Sequence, residues 1–349
     1  MKLLSLCLLL SAAPLFGEEF KLSATASADG APKDLDTALR LQIYLDQKLF
    51  GPGFLDGKPG RNTSDAVYAY NRSRGRSPGD WAGVVAAAET AVPVLYATAV
   101  VPTVASDFVD PNLSNNRAEQ AKRKDMPYTS YLEFMAERYH TSETFLVELN
   151  GKKAYSVKPR STLKVPNIKP FLLENIKRGR MHKKDPKLSQ RTMVLDTKNK
   201  RLFVYDPNDR PVLLQNGAVI VAEDDEDEAE TKSLGRLVAV FPMTPGQQKF
   251  IHRGEWKVVN CVEYPEWRYD KDLLETGKRS NKALQIPPGP NNPVGIMWAG
   301  LSKSGIGIHG TSSPRTIGRA ESAGCYRLAN WDVARLPTLI RPGTRVLVR

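Results

Sequence analysis

Two residues in the last fifth of the chain have the types and spacing for covalent chemistry. The stretch Gly305–Leu328 reads GIGIHGTSSPRTIGRAESAGCYRL, with His309 at one end and Cys325 sixteen positions later. Ile306 and Ile308 alternate with glycines before His309, the pattern of a short strand that delivers a histidine at its end. An unperturbed thiol is mostly protonated at neutral pH, and an imidazole nearby can take its proton, giving a thiolate nucleophile with a general base. Gly324 precedes the cysteine and lets backbone N–H groups approach an acyl oxygen, as an oxyanion hole requires. Three cysteines are present in all, and Cys7 lies in an apolar leader, so only Cys261 and Cys325 fall in the body of the chain.

The elements that must position this pair follow from the pattern around it. Thr192–Asp196, Arg201–Asp206, Gly217–Ala222, Arg236–Phe241 and Glu255–Asn260 are short, β-branched or aromatic, and separated by turns, which predicts a largely antiparallel sheet. Past Arg327, Asn330 is placed to cap a helix from Trp331 toward Leu336, and Thr344–Val348 supplies a last strand. The acidic run 223–230 reads as a solvated loop; consecutive carboxylates lack the spacing of a metal-binding loop. No zinc-type Cys/His spacing and no phosphate loop occur, so neither a metal nor an organic cofactor is expected.

Residues 305–328 closely resemble the signature of the YkuD-type L,D-transpeptidases, which carry His-Gly-Thr and then Ser-His-Gly-Cys followed by an aliphatic residue and arginine. The resemblance extends over 191–349, with Pro245-Gly246, Pro265-Glu266-Trp267 and Ile286–Leu301 as further landmarks. It implies that His309 is the general base, Cys325 the nucleophile and Arg327 the family arginine. Backbone N–H groups near Ala323 and Gly324 would hold the oxyanion, with Arg327, Gly310, Thr311 and Ser322 orienting substrate. Two positions depart from the pattern: Ala323 stands where the family has a second histidine, and Tyr326 where it has an aliphatic residue. Arg327 is equally readable as a structural ion-pair partner.

The front of the chain reads as smaller units. Residues 1–17 have the basic start and short apolar run of a cleaved secretory signal, too short to span a bilayer. Residues 34–76 predict two short helices around a turn at Asp56–Gly60, with Asn62 or Thr63 as N-cap, and resemble a small helical peptidoglycan-binding domain. Residues 77–125 read as linker or packing segment. Residues 126–168 predict two helices, one ending near His140, and a closing strand at Ser161–Pro166, an order that resembles a LysM domain. Residues 169–190, basic and proline-containing, read as a linker around His182. The expected fold class is therefore multidomain α+β: small helical and LysM-like front modules, then a mainly antiparallel β L,D-transpeptidase catalytic domain.

The chain has 349 residues and a formal net charge of +12, suited to a polyanionic neighbour. The basic segments lack the interleaved aromatics of a nucleic-acid patch, so no nucleic-acid partner is expected. Few cysteines in an exported chain argue against a disulfide framework, and Cys261 reads as a small buried apolar residue. The resemblance implies peptidoglycan peptide stems as partners, a periplasmic or cell-wall location and no membrane insertion after signal cleavage. It implies 3→3 cross-linking of tetrapeptide stems through a Cys325 thioester. Hydrolysis by the same acyl-enzyme, as L,D-carboxypeptidase or endopeptidase, and a non-catalytic peptidoglycan-binding role stay open.

Overall fold

In the computed structural model the described residues are 29–208, 212–215, 218–221, 234–276, 279–319 and 324–349. The leader and the acidic run lie outside them. The chain begins with helices α1 (Leu35–Gln47), α2 (Arg61–Arg72) and α3 (Trp81–Ala91), followed by strand β1 (Tyr96–Val100). Asp34 caps α1 by accepting from the Thr37 N–H at 2.7 Å, and Asp80 does the same for α3 through Gly83 at 2.8 Å. The cap expected at Asn62 or Thr63 is absent, because α2 starts earlier, behind Gly60.

A second unit is closed by pairing across a long excursion. Helices α4 (Arg117–Gln120), α5 (Tyr131–Arg138) and α6 (Glu143–Asn150) lie between β1 and β2 (Thr162–Pro166), and β1 pairs with β2 antiparallel. Ser130 and Ser142 cap α5 and α6 through Glu133 N–H and Phe145 N–H. Part of the segment 77–125 therefore completes this unit.

The C-terminal half contributes β3 (Thr192–Asp196), β4 (Arg201–Asp206), β5 (Val212–Gln215), β6 (Ala218–Val221), β7 (Arg236–Pro242), β8 (Gly254–Glu263), β9 (Trp267–Tyr269), α7 (Lys271–Thr276), β10 (Leu284–Ile286), β11 (Met297–Leu301), β12 (Gly307–His309), β13 (Tyr326–Arg327), α8 (Asn330–Val333) and β14 (Arg345–Val348). Eight of the strands form one sheet in the order β13-β12-β11-β8-β14-β3-β4-β7. It is mainly antiparallel, with parallel pairs at β12–β13 and β14–β3. The helix after Arg327 starts at Asn330 itself, with Ala329 as its cap, so the capping role expected of Asn330 is not the one it has.

Strands β3 and β4 are buried almost throughout rather than on alternate residues, because both faces of the sheet are covered. Met193, Leu195, Leu202, Val204, Ala239 and Phe241 face one core, which they share with Val101, Phe134, Leu146 and Leu163 of the second unit. Val194, Phe203, Tyr205, Leu237 and Val240 face the other, filled by Leu39, Ile43, Leu45, Tyr70 and Trp81 of the first. Backbone bonds join the parts as well: Gly51 N–H donates to the Val240 carbonyl at 2.7 Å, and Val240 N–H to that of Leu49 at 2.9 Å, extending the sheet past β7. Arg201 of β4, fully buried, pairs with Asp65 of α2 and donates to Asn62 Oδ1 at 2.9 Å.

A third junction joins both front units to the end of the chain. Asp46 of α1 accepts from Arg335 Nη2 at 2.7 Å and lies 3.1 Å from His140 Nδ1, while the His140 ring stacks on Trp331 at 5.7 Å. Burial alone would push the Asp46 carboxyl up; Arg335 and His140 outweigh it and hold it well below the usual carboxylate range. The basic stretch 169–190 is held against the sheet too. Glu263 at the end of β8 accepts from Lys177 N–H at 2.8 Å and Arg180 Nε at 2.8 Å, and His182 Nε2 lies 2.8 Å from it.

Candidate active site

Strand β12 ends on His309 and lies between β11 and β13. Its parallel partner β13 sets Ile308 opposite Tyr326 and His309 opposite Arg327. Paired residues share a face and successive residues alternate, so Ile308 and Tyr326 point into the core, both buried. His309 and Arg327 point to the other face, and one step of two back from Arg327 brings Cys325 to that face as well. The strand registers thus place on one face of the sheet the histidine and cysteine that the sequence separates by sixteen residues.

The histidine's tautomer follows from its partner. His309 Nδ1 lies 2.7 Å from the Gly310 carbonyl oxygen. A carbonyl only accepts, so Nδ1 carries the proton and Nε2 keeps the lone pair that a base needs. Burial drives the imidazole pKa down to about 4, with a smaller push from the Arg327 guanidinium and an opposing contribution from the Gly310 bond. The ring also stacks on Trp298 of β11 at 5.6 Å and 13°. That indole leaves no room for a side chain at 307: a Cβ on Gly307 would come within 2.5 Å of it, which is why glycine stands there.

Cys325 is half-buried, and its Sγ donates to the Gly305 carbonyl at 3.6 Å. Desolvation pushes the thiol up to about 11, opposed by the Gly307 N–H and by Arg327. Both groups are thus neutral at rest, a protonated thiol at Cys325 and an unprotonated imidazole at His309. Proton transfer then accompanies attack on an acyl carbon instead of preceding it. Cys261 differs in kind: it is buried on β8 in the core, and burial lifts it to about 12 against the Arg341 charge.

The loop from 243 to 246 braces β13 and the glycine before Cys325. Thr244 and Arg327 exchange backbone hydrogen bonds of 2.9 Å each, and Gly318 N–H donates to Thr244 Oγ1 at 2.8 Å. Gly246 packs so closely on Gly324 that a Cβ there would come within 2.5 Å of the Gly324 Cα. Gly324 itself has φ +129°, a left-handed conformation that glycine alone adopts readily. Ser322 and Ala323 lie outside the described residues. Thr311 is buried, and its hydroxyl accepts from the Ser313 N–H at 3.1 Å, so it holds the loop behind the histidine.

Sequence reasoning missed three participants: Trp298, Thr244, and the buried Asn330 that supports the loop after His309. The signal for Trp298 is the glycine spacing of β11 and β12; nothing local marks the others. Among the described residues no group of three or more His, Cys, Asp or Glu could hold a metal, and no helix is long and apolar enough to cross a membrane.

Residues 190–348 match the YkuD family model, the L,D-transpeptidase catalytic domain. Over 78 residues the chain is 41% identical to the protein of Bacillus licheniformis named "Putative L,D-transpeptidase YkuD", which covers 22% of this chain and 47% of that one. The Bacillus subtilis protein of the same name is 48% identical over 59 residues, 17% of this chain and 36% of that one. The matches thus span half or less of those relatives' lengths. Among solved structures, L,D-transpeptidase 3 from Mycobacterium tuberculosis with a faropenem-derived adduct aligns over 55% of this chain and 75% of that chain, at 13% identity and a TM-score of 0.31.

Proposed function

We propose that the protein is a peptidoglycan L,D-transpeptidase that works through an acyl-enzyme on Cys325. The observation that carries this reading is the His309 Nδ1 bond to the Gly310 carbonyl, which leaves Nε2 basic on the face that Cys325 shares. His309 Nε2 takes the Cys325 proton as Sγ attacks the carbonyl of the third residue of a tetrapeptide stem. The tetrahedral oxyanion is held by backbone N–H groups around Gly324. The imidazolium then returns its proton to the departing D-alanine amine, leaving a thioester. An amine from a second stem attacks the thioester, the thiol is regenerated, and a 3→3 cross-link results. In a full turnover with tetrapeptide muropeptides, mass spectrometry should find dimers that have lost one D-alanine. Shortened monomers without dimers would replace this reading with hydrolysis, and unchanged substrate would leave only a binding role.

The front units act, on this reading, as wall-binding modules in an exported enzyme. The two helices α5 and α6 with the closing strand β2, which pairs with β1, support the LysM-like assignment of residues 126–168. The full-length Cys325→Ala protein should co-sediment with purified sacculi at low salt. Its staying in the supernatant would remove the binding role from these units.

A further inference from the structure

The loop that holds the catalytic base rests on a carboxylate from the second front unit. Asn330, fully buried, donates from Nδ2 to Glu137 Oε2 at 3.0 Å and to the Pro290 carbonyl at 3.2 Å. Its Oδ1 accepts from the Thr311 N–H at 3.3 Å. Gly310 and Gly295 lie against that same oxygen so closely that a Cβ on either would collide with it. Glu137, on α5 and 3% exposed, also accepts from the Tyr128 hydroxyl at 2.8 Å. Tyr128, Glu137, Asn330 and Thr311 thus form one buried chain ending at the peptide whose carbonyl fixes His309.

Each link is constrained by its neighbours. Asn330 can present Oδ1 to Thr311 only while Nδ2 faces acceptors, and Glu137 and the Pro290 carbonyl are those acceptors. Without Glu137, one buried donor loses its partner and the amide is free to turn. The Gly310 carbonyl would then lose its fixed place, and with it the tautomer of His309.

We propose that Glu137 is a positioning residue for the catalytic base, so that the second front unit is part of the L,D-transpeptidase machinery as well as a module beside it. The proposal rests on the Cys325–His309 reading above. Glu137 is faced by Tyr128, by Glu133 on its own helix, by Glu143 of α6 (which is paired with Arg315), and by the Asn330 amide. Burial, reinforced by Glu133 and Glu143, lifts its carboxyl to about 8 against the hydrogen bonds from Asn330 and Tyr128. Above that pH it is ionised, and a charged acceptor holds Asn330 more tightly than a neutral one.

The test is the rate at which a carbapenem such as imipenem acylates the full-length protein, followed by intact mass from pH 6 to 9.5. Thermal melting of each variant is recorded alongside. Glu137→Ala should lower the maximal acylation rate by about ten-fold, as expected for a modest misplacement of a catalytic group, with little change in the carbapenem concentration giving half that rate. Glu137→Gln keeps an acceptor for Asn330 but cannot ionise. It should match the parent at pH 6 and fall behind as the pH rises through about 8. If Glu137→Ala does not fold, the Gln variant decides alone. A Gln-to-parent ratio that is flat with pH, or a folded Ala variant at the parental rate, overturns the proposal. If the parent forms no adduct at all, the Cys325 reading fails first and this one with it; an adduct on the parent with no effect of Glu137 refutes only the positioning role.

Discussion

Cys325→Ala should form no carbapenem adduct, and His309→Ala should form one slowly while melting near the parent temperature. The first result follows because Cys261, the other thiol of the body of the chain, is buried and shifted up to about 12, out of reach of a bulky electrophile. The second follows from the neutral resting pair. With the Cys325 thiol pushed up to about 11, thiolate is scarce at neutral pH and the reaction depends on His309 accepting the proton during attack. Loss of a general base typically costs ~10²–10⁴ in rate, and this site has no preformed thiolate to soften the loss. The pH dependence has a definite sign. His309 works only when unprotonated, and burial has lowered its pKa to about 4 from an ordinary value of 6.5. The acylation rate should therefore hold as the pH falls through 6 and drop only near 4. A parent rate that falls by half near pH 6.5, or an undiminished rate in His309→Ala, would refute the assignment. Intact-mass time courses across pH measure both.

Asp65→Ala should destabilise the whole chain, not merely its first unit. Arg201 is 2% exposed at its side chain and Asp65 4%, and the ion pair spans α2 and β4. Burial raises the Asp65 carboxyl pKa, with Arg201 pulling it back, and lowers that of Arg201 with Asp65 opposing, so both charges are costly where they sit. Arginine cannot shed its proton to escape, so removing the carboxylate strands a buried guanidinium, at a cost of about 3–5 kcal/mol. Asn62 Oδ1 and the Lys200 carbonyl would remain as neutral acceptors. Replacing both partners with apolar residues, Asp65→Leu with Arg201→Met, should recover most of the loss because no charge is then left buried. Urea unfolding followed by tryptophan fluorescence would measure it. A midpoint unchanged in the single variant would mean that the pair is solvated in solution.

The sheet strands and the helices of the front units were legible because each is a local pattern. Alternation before His309 identifies a strand whatever it packs against, and the helix that ends near His140 is marked by its own residues in the same way. What escaped depends on contacts between distant residues. The run Arg201–Asp206 is apolar on both parities, which marks a strand covered on both faces, but nothing in the run says that α1 to α3 cover one of them. Asn330 reads as a helix cap by its type. Its work beside Thr311 depends on Glu137, 193 positions away. The segment 169–190 looks like a linker because its residues are basic. Its binding to Glu263 turns on one buried carboxylate at the end of a strand more than 70 residues later.

The shared cores described above also bear on how such a chain can change through evolution. Modules strung on free tethers can be shuffled, since a cut between them exposes little that was hidden. Here a cut anywhere between Asn167 and Arg191 would bare Phe203, Tyr205 and Val240 on one side of the sheet and Leu202, Val204 and Phe241 on the other. It would also leave the backbone of β7 without its neighbour at Leu49–Gly51. A recombinant that joined this catalytic half to foreign front modules would inherit a sticky sheet and an unpaired arginine. The three parts are therefore bound to be inherited together, and substitutions on the faces where they meet should accumulate as matched sets.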